Sequence, residues 1–307
     1  MKLAHMILLG TLAIGVAGGT WLWTPDRPRA ALERKYLAHP GDMMEVAGMR
    51  LHVRDTGPRD RPAVIMIHGF GSSLHTWEAW AQALAADYRV VRFDLPGAGL
   101  TGPDPTGDYT DQRSLVLLRA LMDTLHLPRA SLVGNSIGGR IAWRFAAQFP
   151  DRVDRLVLVA PDGFASAGFE YGKATALPAL FGLMRYVLPK PLLRMTLASA
   201  YGNREALRDD VVTRYHDLML APGVREASIR RLEQTVLEPP APWLQQIRAP
   251  VLLLWGAQDA IIPVSNAQDY RRALPRSTLV VLPGLGHVPQ EEDPGQSLPA
   301  VAAFLAG

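Results

Sequence analysis

The chain of 307 residues contains no cysteine. Thiolate nucleophiles, disulfide scaffolds and cysteine-ligated zinc are excluded on that ground alone. Charge of neither sign dominates: 32 lysines and arginines against 29 aspartates and glutamates give a net charge of +3. No basic block interleaved with aromatics occurs, so nothing resembles a nucleic-acid groove, and the small excess reads as a solvated, mildly basic surface. There is no internal repeat and no low-complexity segment. With 48% hydrophobic and 20% charged residues, wholesale disorder is ruled out, and a chain of this length can bury a large core without a metal or crosslink.

What is present begins with an apolar leader. Leu3 to Trp23 carries no permanent charge, and Met6 to Trp23 is almost wholly apolar. That length is near the roughly 20 residues a bilayer requires, with Trp21 and Trp23 placed like an interfacial belt. The expectation is a membrane anchor over residues 1–24; the alternative is a signal peptide cut near Gly15-Val16-Ala17, leaving a secreted protein. A buried helix is a third option, weakened by the glycines between Gly15 and Gly19. Arg27, Arg29, Arg34 and Lys35 follow the segment and only Lys2 precedes it, so a positive-inside count places the body in the cytoplasm. Residues 25–43 read as a polar lead with a short helix around Ala30 to Leu37.

From Met44 the rhythm changes. Met44-Glu45-Val46 and Met49 to Val53 alternate about Gly48, a hairpin pattern. Short apolar runs follow at Ala63–Ile67, Arg89–Phe93, Ala130–Val133, Leu156–Val159, Val251–Trp255 and Thr278–Leu282. Helical spacing separates most of them: Trp77, Trp80, Ala81 and Leu84; Leu115, Leu118, Leu121, Met122 and Leu125; Ile137, Ile141, Phe145 and Phe149. Strands alternating with helices predict an α/β fold, a mostly parallel central sheet with helices on both faces. The alternation lapses over residues 164–240, which predict an inserted helical cap, including helices over Asp209–Leu220 and Val224–Val236 and breaks at Pro189, Pro191 and Pro222. The core is thereby divided into residues 44–163 and 241–307. The apolar residues Leu177, Leu180, Phe181, Leu183, Met184, Leu192, Leu193 and Met195 could line an acyl pocket or face a membrane, but helical spacing first predicts packing among the cap helices.

The chemistry concentrates in Gly134-Asn135-Ser136-Ile137-Gly138-Gly139. It follows an apolar run and opens a helix, the strand–turn–helix context that gives Gly-x-Ser-x-Gly its meaning. A serine hydroxyl needs a base to act as nucleophile. Downstream, Asp259 closes the loop after Val251–Trp255, and His287 closes the loop after Thr278–Leu282. Parallel strands bring their carboxyl ends to one rim, so His287 can take the Ser136 proton while Asp259 orients the imidazole. Asp162, after Leu156–Val159, is an alternative acid. His68-Gly69-Phe70-Gly71 leaves another strand, and the backbone N–H groups of Phe70 and Ile137 are the candidate oxyanion donors.

Together these features, from about Met44 onward, resemble the α/β-hydrolase superfamily, in which Phe93-Asp94-Leu95-Pro96-Gly97-Ala98-Gly99 also looks like a family turn. The apolar leader, Trp23 to Pro28 and Gly69 to Trp77 resemble membrane-anchored bacterial serine esterases and lipases. That resemblance implies an envelope location with a periplasmic catalytic domain, against the positive-inside count. It implies Ser136, Asp259 and His287 as catalytic residues, no cofactor or metal, and a small-molecule ester substrate with an apolar acyl or aryl group.

Within the superfamily, haloalkane dehalogenases and epoxide hydrolases carry aspartate where Ser136 stands. C–C bond hydrolases of aromatic ring-cleavage products resemble the serine turn, but they typically have Gly-Pro where Ser72-Ser73 stands and often tryptophan where Val288 stands. Cofactor-free haloperoxidases have a similar turn. A non-catalytic small-molecule receptor on this fold usually lacks a catalytic residue, and none is missing.

Overall fold

A computed structural model describes residues 23–165, 170–174 and 177–307. A helix α1 (Arg29–Tyr36) leads into a hairpin of β1 (Met43–Val46) and β2 (Met49–Thr56). Its two turn residues, Ala47 and Gly48, have φ of 46° and 79°, the twist that lets a two-residue turn join antiparallel strands. The other strands are β3 (Ala63–Ile67), β4 (Arg89–Phe93), β5 (Ala130–Asn135), β6 (Val153–Val159), β7 (Val251–Gly256) and β8 (Thr278–Leu282). They form an eight-stranded sheet in the order β1-β2-β4-β3-β5-β6-β7-β8. The hairpin and the β2–β4 pairing are antiparallel, and every pairing from β4 to β8 is parallel.

The central runs are apolar without alternation because both faces are covered. In β3, Ile65 and Ile67 point into one cluster while Val64 and Met66 point into the other. The first face carries α3 (Asp111–Thr124), α4 (Ile137–Gln148) and α9 (Asn266–Ala273), through Leu118, Phe145 and Tyr270. The second carries α2 (Glu78–Leu84) and α11 (Pro294–Ala306), through Trp80 and Val301. The six parallel-strand runs predicted from sequence are therefore all present, and the α/β-hydrolase fold class holds.

Between β6 and β7 the chain supplies a 3-10 turn over Ala179–Arg185 and the helices α5 (Lys190–Ala198), α6 (Asp209–Met219) and α7 (Val224–Gln234). A four-residue helix α8 (Ala241–Leu244) leads back to the sheet. Pro191, read from sequence as a break, lies in the first turn of α5, where a missing N–H costs nothing and the fixed φ suits a helix. Packing does not account for all the apolar residues either: Leu180, Leu183, Leu192 and Met195 are 51–75% exposed.

The expectation of a membrane-anchored envelope protein is corrected. Residues 1–22, including Trp21, lie outside the described residues, and among the described residues no helix is long and apolar enough to cross a membrane. Hydropathy also misassigned the end of the apolar run. Trp23 stacks on Tyr186 with ring centroids 5.7 Å apart, and Thr24 N–H donates to the Tyr186 carbonyl at 2.8 Å. A hydropathy window counts composition and cannot see that these two residues dock on the helical insertion.

The lead continues that docking. Arg27 N–H donates to Leu220 O at 2.7 Å, and Asp26 pairs with Arg225 of α7 at 2.7 Å. Most of the polar contact converges on Asp217 of α6, whose side chain is 1% exposed. One of its oxygens accepts from Tyr36 Oη at 2.7 Å and Lys35 Nζ at 2.8 Å, and Arg27 lies 3.1 Å from the other. Burial pushes this carboxyl up, but the bonds from Lys35 and Tyr36 and the charge of Arg27 outweigh it and hold it below the ordinary carboxylate range.

A carboxyl held below its unfolded value stabilises the fold above that value and loses the contribution as pH falls through the folded one. Asp217→Asn should therefore lower stability by about 2 kcal/mol at pH 7, the buried acceptor being discounted for its partly exposed cationic partners. Urea midpoints measured from pH 7 downward should begin to converge for the two proteins only below about pH 4, and meet once the pH is below the depressed folded value. Equal midpoints at pH 7 would contradict this account of the lead.

Candidate active site

Ser136 sits between the end of β5 and the start of α4 with φ 55° and ψ −122°. For a residue with a side chain this conformation costs on the order of 1–3 kcal/mol. Three backbone bonds hold it: Ser136 N–H donates to Val159 O at 3.1 Å, and its carbonyl accepts from the N–H groups of Arg140 and Asp162, both at 3.0 Å. The flanking glycines answer to close approach. A Cβ on Gly134 would lie 2.3 Å from Gly138 O, and one on Gly138 would lie 2.2 Å from Ile67 O. The strand, the turn and the helix thus meet closer than any side chain permits.

Asp259 and His287 stand at the carboxyl ends of the neighbouring strands β7 and β8, and both are buried. One Asp259 oxygen accepts the N–H groups of Ile261 and Ile262, both at 2.9 Å. The other is 2.8 Å from His287 Nδ1. An ionised carboxylate only accepts, so Nδ1 carries the hydrogen and Nε2 is left for a proton transfer. Asp162, the alternative acid, is engaged elsewhere: its carboxylate pairs with Arg140, and Arg140 also pairs with Asp111.

The histidine loop is fastened from three sides. Asn135 Nδ2 donates to His287 O at 2.9 Å and to Val159 O at 3.1 Å, tying the residue before Ser136 to the histidine backbone. His287 N–H donates to Ala200 O in the insertion at 2.7 Å. Glu292, ending the short helix α10 (Pro289–Glu292), accepts from Gly286 N–H at 2.7 Å, Gly202 N–H at 3.1 Å and Asn203 N–H at 2.7 Å. Next to it, Glu291 accepts from Thr76 Oγ1 at 3.0 Å and Tyr215 Oη at 2.8 Å and pairs with Arg214. The insertion and the histidine loop are therefore one hydrogen-bonded unit at this edge. Sequence reading quoted Asn135 without a role and passed over Glu291 and Glu292; the acidic pair four and five residues after His287 was the available signal.

The loop after β3 carries the other candidates. His68 Nδ1 donates to Gly69 O at 2.7 Å, and its Nε2 accepts Leu95 N–H at 2.9 Å. The ring is therefore neutral, in accord with the lowering of its pKa by burial. Asp94 accepts from Leu74 N–H at 2.7 Å, Leu100 N–H at 2.8 Å and His52 Nδ1 at 2.7 Å. Burial pushes its carboxyl up, but His52 outweighs that and holds it well below the usual range. These bonds press the loop onto the serine turn, where a Cβ on Gly69 would be 3.2 Å from Ser136 Cβ. Phe70 and Ile137 line one narrow cavity of about 20 Å³, room for roughly one water. Ile137 opens α4, so its N–H has no partner within the helix. Leu218, Met219 and Val224 of the insertion form the facing wall, not the residues between Leu177 and Met195 that hydropathy singled out. Among the described residues, no group of three or more His, Cys, Asp or Glu side chains is placed to hold a metal ion.

A family model described as the alpha/beta hydrolase fold matches residues 62–294. The 2-hydroxy-6-oxo-6-phenylhexa-2,4-dienoate hydrolase of Burkholderia cepacia is 29% identical over 258 residues, 80% of this chain and 88% of its own. The crystal structure of a putative lipase from Acinetobacter baumannii AYE superposes with a TM-score of 0.76 at 25% identity, covering 92% of this chain and 97% of that one. A membrane phospholipase A, described as a bacterial virulence factor, superposes at 0.75 and 26% identity, covering 100% and 99%. Sheet order, serine turn and family match agree, and the chain belongs to the α/β-hydrolase fold family.

Proposed function

We propose that this hydrolase cleaves carboxylic esters through an acyl-enzyme, with Ser136 as nucleophile, His287 as general base and acid, and Asp259 as the carboxylate that orients it. The observation that carries the reading is the 2.8 Å contact of His287 Nδ1 with Asp259, on the rim where the strained turn presents Ser136. Ser136 Oγ attacks the ester carbonyl as His287 Nε2 takes its proton. The carbonyl oxygen gains negative charge and is met by the N–H groups of Phe70 and Ile137. His287 then returns the proton to the departing alcohol, and a water activated by the same nitrogen releases the acid. Asp259 stays ionised throughout, held by two backbone N–H groups.

A second reading, C–C bond hydrolysis of a ring-cleavage product, is supported by the Burkholderia relative. Two features weigh against it. Ser72 is taken up by Tyr215 at 3.0 Å, and Val288, where such enzymes often have tryptophan, is buried in the apolar cluster of Tyr201 and Tyr215. The lipase and phospholipase structures also cover more of this chain.

Across a series of aryl esters from two to sixteen acyl carbons the full chain should turn over at least one with a clear chain-length optimum, and Ser136→Ala should lose at least about 10⁴-fold in kcat on it. Turnover of a 6-oxo-dienoate with no ester turnover would exchange the two readings; equal rates in wild type and variant would displace Ser136 as nucleophile. The choice of acid is separable. Asp259→Asn should lower kcat by about 10³–10⁴-fold, whereas Asp162→Asn should stay within about tenfold, and the reverse order would reassign the acid.

A further inference from the structure

Arg231 of α7 lines the same cavity as Phe70 and Ile137 and is 6% exposed. Its Nη1 donates to Tyr109 O at 3.2 Å and its Nη2 to Pro96 O at 2.8 Å, and its guanidinium lies 5.7 Å from the Tyr109 ring. All three partners are neutral, and the two bonds use two of its five donors. Among the described residues, no carboxylate is ion-paired with it, whereas each of the other buried arginines has such a partner.

The other buried arginines differ. Arg92 pairs with Glu78, Arg225 with Asp26, Arg89 with Asp55, and Arg140 with Asp111 and Asp162. The acids whose charge reaches Arg231 are Asp111 and Asp108: Asp111 holds Arg140 and Arg144, and Asp108 accepts from Thr110 N–H at 2.9 Å, and neither is ion-paired with Arg231. Burial brings the Arg231 pKa down to about 10, so it stays charged at neutral pH. A buried charge without a counter-charge is costly, and an apolar residue of similar volume generally serves a fold better. Such a group in a cavity beside the reacting centre is a recognition candidate.

We infer that Arg231 receives a carboxylate borne by the substrate, and that the substrate class is the monoester of a short dicarboxylic acid. The inference rests on the serine-hydrolase reading, which puts the reacting carbonyl at Phe70 and Ile137, and it narrows the acyl group. Leu95, Leu218, Met219 and Val224 line the same cavity as Phe70, Ile137 and Arg231 and give it apolar surface suited to a few methylenes. A planar carboxylate matches the guanidinium fork. In a cavity of about 20 Å³ the acyl group displaces water and requires Leu218 and Met219 to shift.

The test uses the full chain with monoethyl succinate, glutarate and adipate, each beside the neutral ethyl ester in which isopropyl replaces the carboxylate. Ethanol release gives kcat/KM for each pair. At least one half-ester should exceed its neutral partner by about tenfold or more, Arg231→Met should abolish that ratio, and Arg231→Lys, which keeps charge without the fork, should retain part of it. A ratio at or below one in the wild type overturns the inference, as does an unchanged ratio in Arg231→Met. Should Arg231→Met not fold, the lysine variant decides: a ratio equal to wild type would overturn the role of the fork. Calorimetric binding of glutarate against its diamide separates this inference from its parent. Glutarate binding that Arg231→Lys weakens, without ester turnover, leaves the carboxylate site standing while the serine-hydrolase reading falls; no preference for glutarate overturns the site whatever the turnover.

Discussion

Everything at the rim depends on a steric condition at one turn. Ser136 holds φ 55° because the chain before and after it cannot relax: Gly134 and Gly138 sit within van der Waals contact of backbone on both sides. The Ser136 backbone is also bonded to Val159 and to Arg140 and Asp162. Strain of this kind persists only where its surroundings over-determine it. Here three strands and a helix do so, and the consequence is a hydroxyl carried on a rigid element and not on a mobile loop.

The histidine loop is placed by reference to the serine turn. Asn135 adjoins Ser136 and donates to the His287 carbonyl, so a displacement of the serine turn is transmitted to the histidine loop. The same loop is bonded to Ala200 and, through Glu292, to Gly202 and Asn203. On the far side of the insertion, Asp217 is gripped by Arg27, Lys35 and Tyr36. The insertion is thus fastened at both edges, and Leu218, Met219 and Val224 are its apolar residues that line the cavity.

Much of this was legible in the sequence. Six parallel strands announced themselves as short apolar runs between turn residues, since a strand covered on both faces has no reason to alternate. Ser136, Asp259 and His287 could be nominated from their positions after strands, because parallel strands share a rim. What could not be read were contacts between residues far apart in sequence with no periodic signature: Asn135 with His287, Glu292 with Gly202, Asp217 with the lead. Hydropathy misjudged the insertion in both directions, assigning packing roles to Leu180 and Met195, which are exposed, and missing Leu218 and Met219 as cavity wall. It also gave Trp23 to a membrane interface, whereas the ring stacks on Tyr186. Arg231 carried no signal at all, because an arginine on a helix is ordinarily solvated and only the fold shows that this one is buried without a counter-charge.

The central claim is that Ser136 is a nucleophile activated by His287. Reaction of the full chain with a fluorophosphonate, followed by peptide mapping, tests it most directly, since the reagent reports on the activated hydroxyl and not on any substrate. The account predicts one stoichiometric adduct, on Ser136, that is lost in Ser136→Ala and slowed at least about 10³-fold in His287→Ala. An adduct on another serine, or labelling of Ser136 at an unchanged rate without His287, would contradict it.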